Sequence, residues 1–155
     1  MAKSHWSVQA WMTGASLTIS PKESLRQARA LLRTAKVREL LVVDGGKLVG
    51  IVSERDIWAH CPTSALVLDD KQADELLARI RVGGVMALHP PTITLDTPLS
   101  EAARLLAASG RQGLPVAEDG VPIGLLTEDR VVQAVAALLK EIETRDKEEG
   151  RSSHQ

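Results

Sequence analysis

Two short phrases in the chain carry residue types that do chemistry. "GKLVGIVSERDIW" occupies residues 46–58, and "GVPIGLLTEDRVV" occupies 120–132. Each ends two aliphatic residues with a hydroxyl side chain, Ser53 or Thr127, followed by a glutamate and an Asp/Arg pair. In the first phrase Ser53 and Asp56 stand three apart, at the point where a strand-like run gives way to a helix-like one. That spacing turns both side chains toward one point beside a helix N-terminus, where unpaired N–H groups favour an anion. A hydroxyl there suits a phosphate oxygen, and a carboxylate can accept from a pair of ligand hydroxyls in charge-assisted bonds. In the second phrase the charged pair is reversed. Arg130 stands where Asp56 stands in the first, and a guanidinium accepts no hydrogen bond. Asp129 is one residue off, rotated by about 100° on a helix.

The elements that must position these groups follow from an internal repeat. Val8–Cys61 aligns with Val82–Val135 at a constant offset of 74 without a gap, and 13 of the 54 positions are identical. Each copy reads β-α-β-β-α. The strand-like runs are 16–20 and 91–95, then 39–43 and 114–117, then the returns from Lys47 and Val121. Leu25, Ala28, Leu31, Leu32 and Ala35 form one helical stripe, with Ser24 and Gln27 as a capping box. In the second copy Thr97 is the expected cap and Pro98 the first-turn residue. "DGG" and "EDG" close the hairpins. The second helices are expected over Glu54–His60 and Glu128–Leu139, the latter with an apolar stripe of Val131, Val132, Val135, Leu138 and Leu139.

The predicted division is therefore a first repeat with its lead-in over residues 1–62, a linker helix within 63–80, a second repeat over 81–140, and a charged tail over 141–155 that is expected to fray. The fold class is α+β.

Composition narrows the function. The chain has 155 residues, a net charge of −1, three Trp and neither Phe nor Tyr. Such a balance provides no field for nucleic acid or an anionic membrane, and no aromatic platform for stacked bases. No run approaches the ~20 apolar residues of a membrane span, and no signal-like segment opens the chain. Lone Cys61 fits a reducing compartment, so the cytoplasm is expected. His60, Cys61, His89 and His5 have no metal-site spacing, and no phosphate-loop or dinucleotide motif is present. No catalytic set emerges, and the expectation is a protein that is not an enzyme. The N-terminal Trp6 and Trp11 are expected to cover an edge.

With these features the chain resembles a tandem pair of CBS domains, the module named after cystathionine β-synthase. "VQAWMTGASLTI" and "VGGVMALHPPTI" look like the family's opening. "LLVVDGGKLVGIVSERDI" looks like its signature hairpin, and "LPVAEDGVPIGLLTEDRV" matches it except for the terminal Asp. The resemblance spans residues 8–139. It implies two repeats packed about a pseudo-twofold axis, with clefts for an adenine nucleotide, AMP or ATP above all, and no required cofactor. It also implies a regulatory role, a homodimer, and output through an effector protein that the sequence does not name.

Carried over residue by residue, the resemblance assigns Ser53 and Asp56 to phosphate and ribose. It makes Leu17, Ile19, Val37 and Leu40 an apolar adenine slot, and Arg38 and Arg55 phosphate counter-charges. The weaker second cleft would hold Ile93, Leu114, Thr127, Asp129 and Arg130. Either that cleft is empty or it takes a ligand whose phosphate meets Arg130. The bland readings stand beside these. Asp56 and Ser53 can serve only as helix-capping groups, Gly50 and Gly124 only as close-packing positions, and Arg55, Arg111 and Arg130 as solvated surface. A structural, dimerising module with no ligand is the alternative function.

Overall fold

The computed structural model describes residues 5–14, 17–61 and 68–153. A short helix α1 (Val8–Trp11) and strand β1 (Thr13–Gly14) lead in. The first repeat continues as β2 (Thr18–Ile19), α2 (Leu25–Ala35), β3 (Glu39–Asp44), β4 (Lys47–Ser53) and α3 (Glu54–Ala59). After the linking helix α4 (Asp70–Leu77) and a 3-10 turn at Val82–Gly84, the second repeat has β5 (Ala87–Leu88), α5 (Leu99–Ser109), β6 (Gly113–Glu118), β7 (Val121–Thr127) and α6 (Glu128–Ser152).

The repeats close each other's sheets. One sheet runs β2-β3-β4-β5 and the other β1-β7-β6. Thus β1, from the first lead-in, pairs with β7, and β5, from the second, pairs with β4. Thr13 faces Leu125 as Ala87 faces Ile51, the same register displaced by 74 residues. Backbone bonds repeat the pattern: Leu25 N–H donates to Ile80 O at 2.8 Å and Leu99 N–H to Trp6 O at 2.9 Å. The cores are exchanged accordingly. Val82 and Val85 are buried with Leu25, Leu40 and Ile57, whereas Val8 is buried with Leu99, Leu114 and Leu126. The hydrophobic groups therefore do not follow the order of the chain. A pseudo-twofold axis relates the two halves.

The duplicated glycines explain how closely the exchanged strands approach. A Cβ on Gly50 would lie 2.7 Å from Met86 Sδ and 2.9 Å from Ala87 O, and one on Gly124 would collide with Thr13 O and lie 2.8 Å from Met12 Sδ. Each methionine of the repeated Met12/Met86 pair thus sits on the opposite repeat's glycine. The hairpins both turn through two residues of positive φ, Gly45-Gly46 and Asp119-Gly120, the geometry whose twist matches the flanking strands.

Several local expectations shift. Residues 91–95 form no strand; only Ile93 bridges, parallel to Val116, as Ile19 does to Val42. Helix α5 begins at Leu99 with Pro98 as its N-cap, and the Thr97 hydroxyl accepts from Thr94 N–H instead. Ser24 caps α2 by accepting from Gln27 N–H. Residues 62–67 of the linker lie outside the described residues. The expectation of fraying from residue 141 is corrected: α6 runs on through Ser152. Good helix formers in "LLKEIETRDKEE" and alternating charges sustain it without a core to cover.

Candidate functional site

Two clefts lie either side of the axis. The first is a cavity of about 470 Å3 lined by Val37, Arg38 and Glu39, by the α3 start from Ser53 to Asp56, by Ala59, and by Ser109–Gln112 of the second repeat. The other, about 260 Å3, is lined by Thr13, Gly14, Leu17, Lys36–Glu39 and Leu41 of the first repeat and by Gln112, Leu125 and Thr127–Asp129 of the second. In each, the start of one repeat's second helix faces the loop before the other repeat's central hairpin.

In the first cleft, β4 ends at buried Ser53, which caps α3. Its hydroxyl accepts from Asp56 N–H at 3.2 Å, and Ser53 N–H donates back to Asp56 Oδ2 at 2.8 Å, a reciprocal capping box. The Ser53 hydroxyl also donates to Asp56 Oδ2 at 2.9 Å. The same oxygen receives a third bond, 2.7 Å from Arg111 Nη2, which reaches across from the second repeat. Arg111 Nε also lies 3.4 Å from Glu39 Oε2, and Gln112 N–H donates to Glu39 Oε1 at 3.0 Å. Glu39 is only 4% exposed. Burial pushes its carboxyl above the ordinary value, more than the Arg111 charge and the Gln112 N–H pull it down. Burial also acts to raise Asp56, but the Arg111 and Ser53 hydrogen bonds together outweigh it and hold the group low. Arg111 is raised: burial opposes its charge, and the two carboxylates more than offset that.

The second cleft repeats the backbone and not the chemistry. Thr127 caps α6 by accepting from Arg130 N–H at 3.2 Å. Arg130 then turns away from the cleft. Its Nε donates to Trp11 O at 2.8 Å, its Nη1 to Gln133 Oε1 at 2.7 Å, and its guanidinium lies 5.5 Å from the Trp11 ring centre. Trp11 in turn stacks on Trp6 with ring centres 6.0 Å apart. Asp129 is an exposed residue on the rim.

These placements regroup the residues expected at the site. Ser53, Arg55 and Asp56 share the first cleft. Val37 and Arg38 line both clefts, and Leu17 lines only the second, so the apolar slot does not gather on the Asp56 side as expected. Ile19 and Leu40 are buried in the first core, and Ile93 and Leu114 in the second. These four line neither cleft, because alternation along each strand points them at the helices. Of the two alternatives for the second cleft, a phosphate met by Arg130 finds no support, because Arg130 is not among its lining residues and instead clamps the exchanged lead-in.

Sequence reasoning does not single out Glu39, and it names Arg111 only as solvated surface. Their signal is the repeat itself: Glu39 aligns with Gly113 and Arg111 with Val37. Two opposite charges are thus added on one side of a duplication, in different copies, a pattern that fits an ion pair across the axis.

Among the described residues no group of His, Cys, Asp and Glu side chains is placed to hold a metal, and no helix is long and apolar enough to cross a membrane. The Cys61 thiol donates to Ile57 O at 3.2 Å and burial raises its pKa, which keeps it protonated.

Comparison with known proteins agrees with this layout. A family model described as CBS domain matches residues 8–57 and 82–137. The chain is 33% identical over 144 residues to the CBS domain-containing protein CBSX2, chloroplastic, of Arabidopsis thaliana, covering 81% of this chain and 60% of that one. It is 32% identical over 128 residues to an inosine-5'-monophosphate dehydrogenase of Korarchaeum cryptofilum, covering 82% of this chain but 24% of the dehydrogenase. It therefore spans less than two thirds of either relative. Among solved structures, CBSX2 in complex with AMP superposes with a TM-score of 0.70 at 32% identity, over 85% of this chain and 97% of that one. The cytosolic domain of the Mg2+ channel MgtE in complex with ATP does so with 0.65 at 26% identity, over 85% and 50%.

Proposed function

The chain belongs to the CBS domain family, and from that premise we propose that it is a regulatory module binding one adenine nucleotide in the Asp56 cleft. The observation that carries this reading is the Asp56 carboxylate. Ser53 and Arg111 all bond to its Oδ2, so Oδ1 takes none of those bonds while the group lines a cleft of nucleotide size. A ribose diol offers two donors to such a carboxylate, and Arg38, Arg55 and Arg111 line the same cleft to meet phosphate. The AMP and ATP complexes of CBSX2 and MgtE support the ligand class. The second cleft has no equivalent carboxylate, so one ligand per chain is expected.

The protein acts by binding rather than by catalysis, in the cytoplasm, and its output passes through an effector protein. The exposed α6 stripe of Val135, Leu138, Leu139 and Ile142 is 40–51% accessible and is proposed to pair with a second copy. Light scattering at micromolar concentration should give twice the chain mass; a monomer mass counts against pairing.

Titration calorimetry with AMP, ADP and ATP tests the binding. One site per chain, weakened by Asp56→Ala, is the expected result, and the absence of heat with all three at millimolar concentration overturns it. A second reading has its own observation. The 2.7 Å Arg111–Asp56 pair already gives the carboxylate a charge partner across the axis, as a ligand-free structural module would require, and the same titration decides between them.

A further inference from the structure

We propose that Arg111 makes the Asp56 cleft selective for phosphorylated over neutral ligands, because it occupies the diol acceptor until a phosphate draws it away. This rests on the nucleotide reading and specifies how that site chooses among adenine compounds. Arg111 follows Gly110, whose φ of 69° ends α5, and its own N–H donates to Ser109 Oγ at 3.1 Å. Ser109 Oγ is in turn tied to Leu106 O at 2.7 Å. The backbone that launches the side chain is thus held, and only the guanidinium can exchange partners.

The Arg111 side chain is 18% exposed and that of Asp56 20%, so the pair sits at the cleft wall with limited access to water. A ligand diol that bonds through both hydroxyls needs Oδ2 as well as Oδ1, and so must compete with Nη2 for that oxygen. Once displaced, Arg111 keeps its contact with Glu39 through Nε, which retains it at the cleft with its terminal nitrogens free. A nucleotide supplies a phosphate for them, in the bidentate geometry that guanidinium favours. A nucleoside supplies nothing, and its binding leaves a partly buried cation with one partner in place of two. The lining charges make the exchange selective: Arg38, Arg55 and Arg111 face Glu39, Glu54 and Asp56, so the cleft has no standing excess of positive charge for an anion. Releasing Arg111 from Asp56 leaves the net charge unchanged but frees a guanidinium from its shortest ion pair, and a phosphate can take that place.

The experiment is calorimetric titration of the full chain with AMP and with adenosine. The parent is compared with Arg111→Gln and with the double variant Arg111→Gln/Glu39→Gln, which leaves no buried carboxylate without its partner. Thermal unfolding reports which variants fold. The parent should prefer AMP by roughly tenfold or more, the scale of one charged hydrogen bond. In the variants adenosine should bind more tightly while AMP does not, so the preference falls to about threefold or less. A parent that binds both compounds equally overturns the inference without any variant. So does an unchanged AMP preference in a folded variant, or adenosine weakening in step with AMP. A parent that binds neither adenosine nor any of AMP, ADP and ATP overturns the nucleotide reading as well, which separates the two failures.

Discussion

At position 56 the first repeat places a carboxylate that its own Ser53 holds and the opposite repeat's Arg111 covers. At the equivalent position 130 the second repeat places a guanidinium that leaves its cleft and lies over Trp11. The backbone around them is the same: a strand end, a hydroxyl cap and a helix start. The difference teaches that duplication preserved the frame while the side chains divided the labour. One junction kept an acceptor that faces a cavity. The other became a brace for the lead-in strand that completes its sheet. A similar division marks the cores, where Arg29 is buried between Asp70, Asp74 and the Trp58 ring, while its counterpart is Ala103.

The largest expected effect comes from removing the cross-axis cation. Arg111→Ala leaves Glu39 buried without its charge partner and should cost about 3 kcal/mol, the lower end for breaking a buried pair because Arg111 retains some water contact. Val37→Ala at the matching site of the first repeat should cost much less. The pH dependence sharpens this contrast. Asp56, held low, contributes stability that is present above its ordinary 3.8 and lost as pH falls through its lowered value. Glu39, held high, is instead a cost at neutral pH that fades as pH falls through its raised value toward 4.5. Without Arg111 that cost grows. Thermal melts should therefore show the gap between parent and variant narrowing as pH falls from neutral toward 4.5.

Next come the paired glycines. Gly124→Ala should cost about 2–3 kcal/mol and Gly50→Ala about 1–2, the range for overpacking. The difference arises because the closest obstacle at Gly124 is a peptide oxygen, whereas at Gly50 it is a flexible thioether. Denaturant unfolding of both variants measures it, and equal costs would mean that the two exchanged strands yield alike.

The sites themselves follow. Asp56→Ala should weaken AMP about tenfold, near 1.5 kcal/mol. The loss sits at the low end for a charged acceptor because the diol must first displace Arg111. Asp129→Ala should change affinity by less than about twofold, since it lies in the other cleft. Titration of both variants breaks the comparison if Asp129 proves the stronger. The smallest effect is in the turns. Gly45→Asp gives the first hairpin the residue that the second carries at φ 51°, Asp119. Stability should change by under about 0.5 kcal/mol in a thermal melt.

The repeat made most of the frame legible. Identical residues at a fixed offset marked the same elements twice, and Ser53 and Asp56 were readable because a hydroxyl and a carboxylate three apart form a capping box. The exchange of β1 and β5 was not readable, since a two-residue strand has no periodicity of its own and either sheet edge accepts it. For the same reason the sequence does not reveal that Leu17 lines the second cleft and not the Asp56 cleft. Ile19 and Leu40 were placed at the site because they flank its motifs, yet the side of the sheet they face depends on a register that only the paired strands settle. α6 outruns the end that its sequence signals because its last turns bury almost nothing, so the apolar stripe that would announce them is missing.

The exchanged lead-ins bear on how such a chain originates. A polypeptide with one repeat alone has a sheet lacking its edge strand and a helix lacking the valine that seals it. The piece that fits is the lead-in of another identical repeat, so the self-sufficient unit is a pair. Joining two repeats through the segment that contains α4 turns that bimolecular encounter into an intramolecular one, with an effective concentration on the order of millimolar. It also makes the two halves separately mutable, which two identical subunits can never be. Glu39 facing Arg111, with Gly113 and Val37 at the mirrored positions, is an asymmetry that a pair of identical subunits cannot hold.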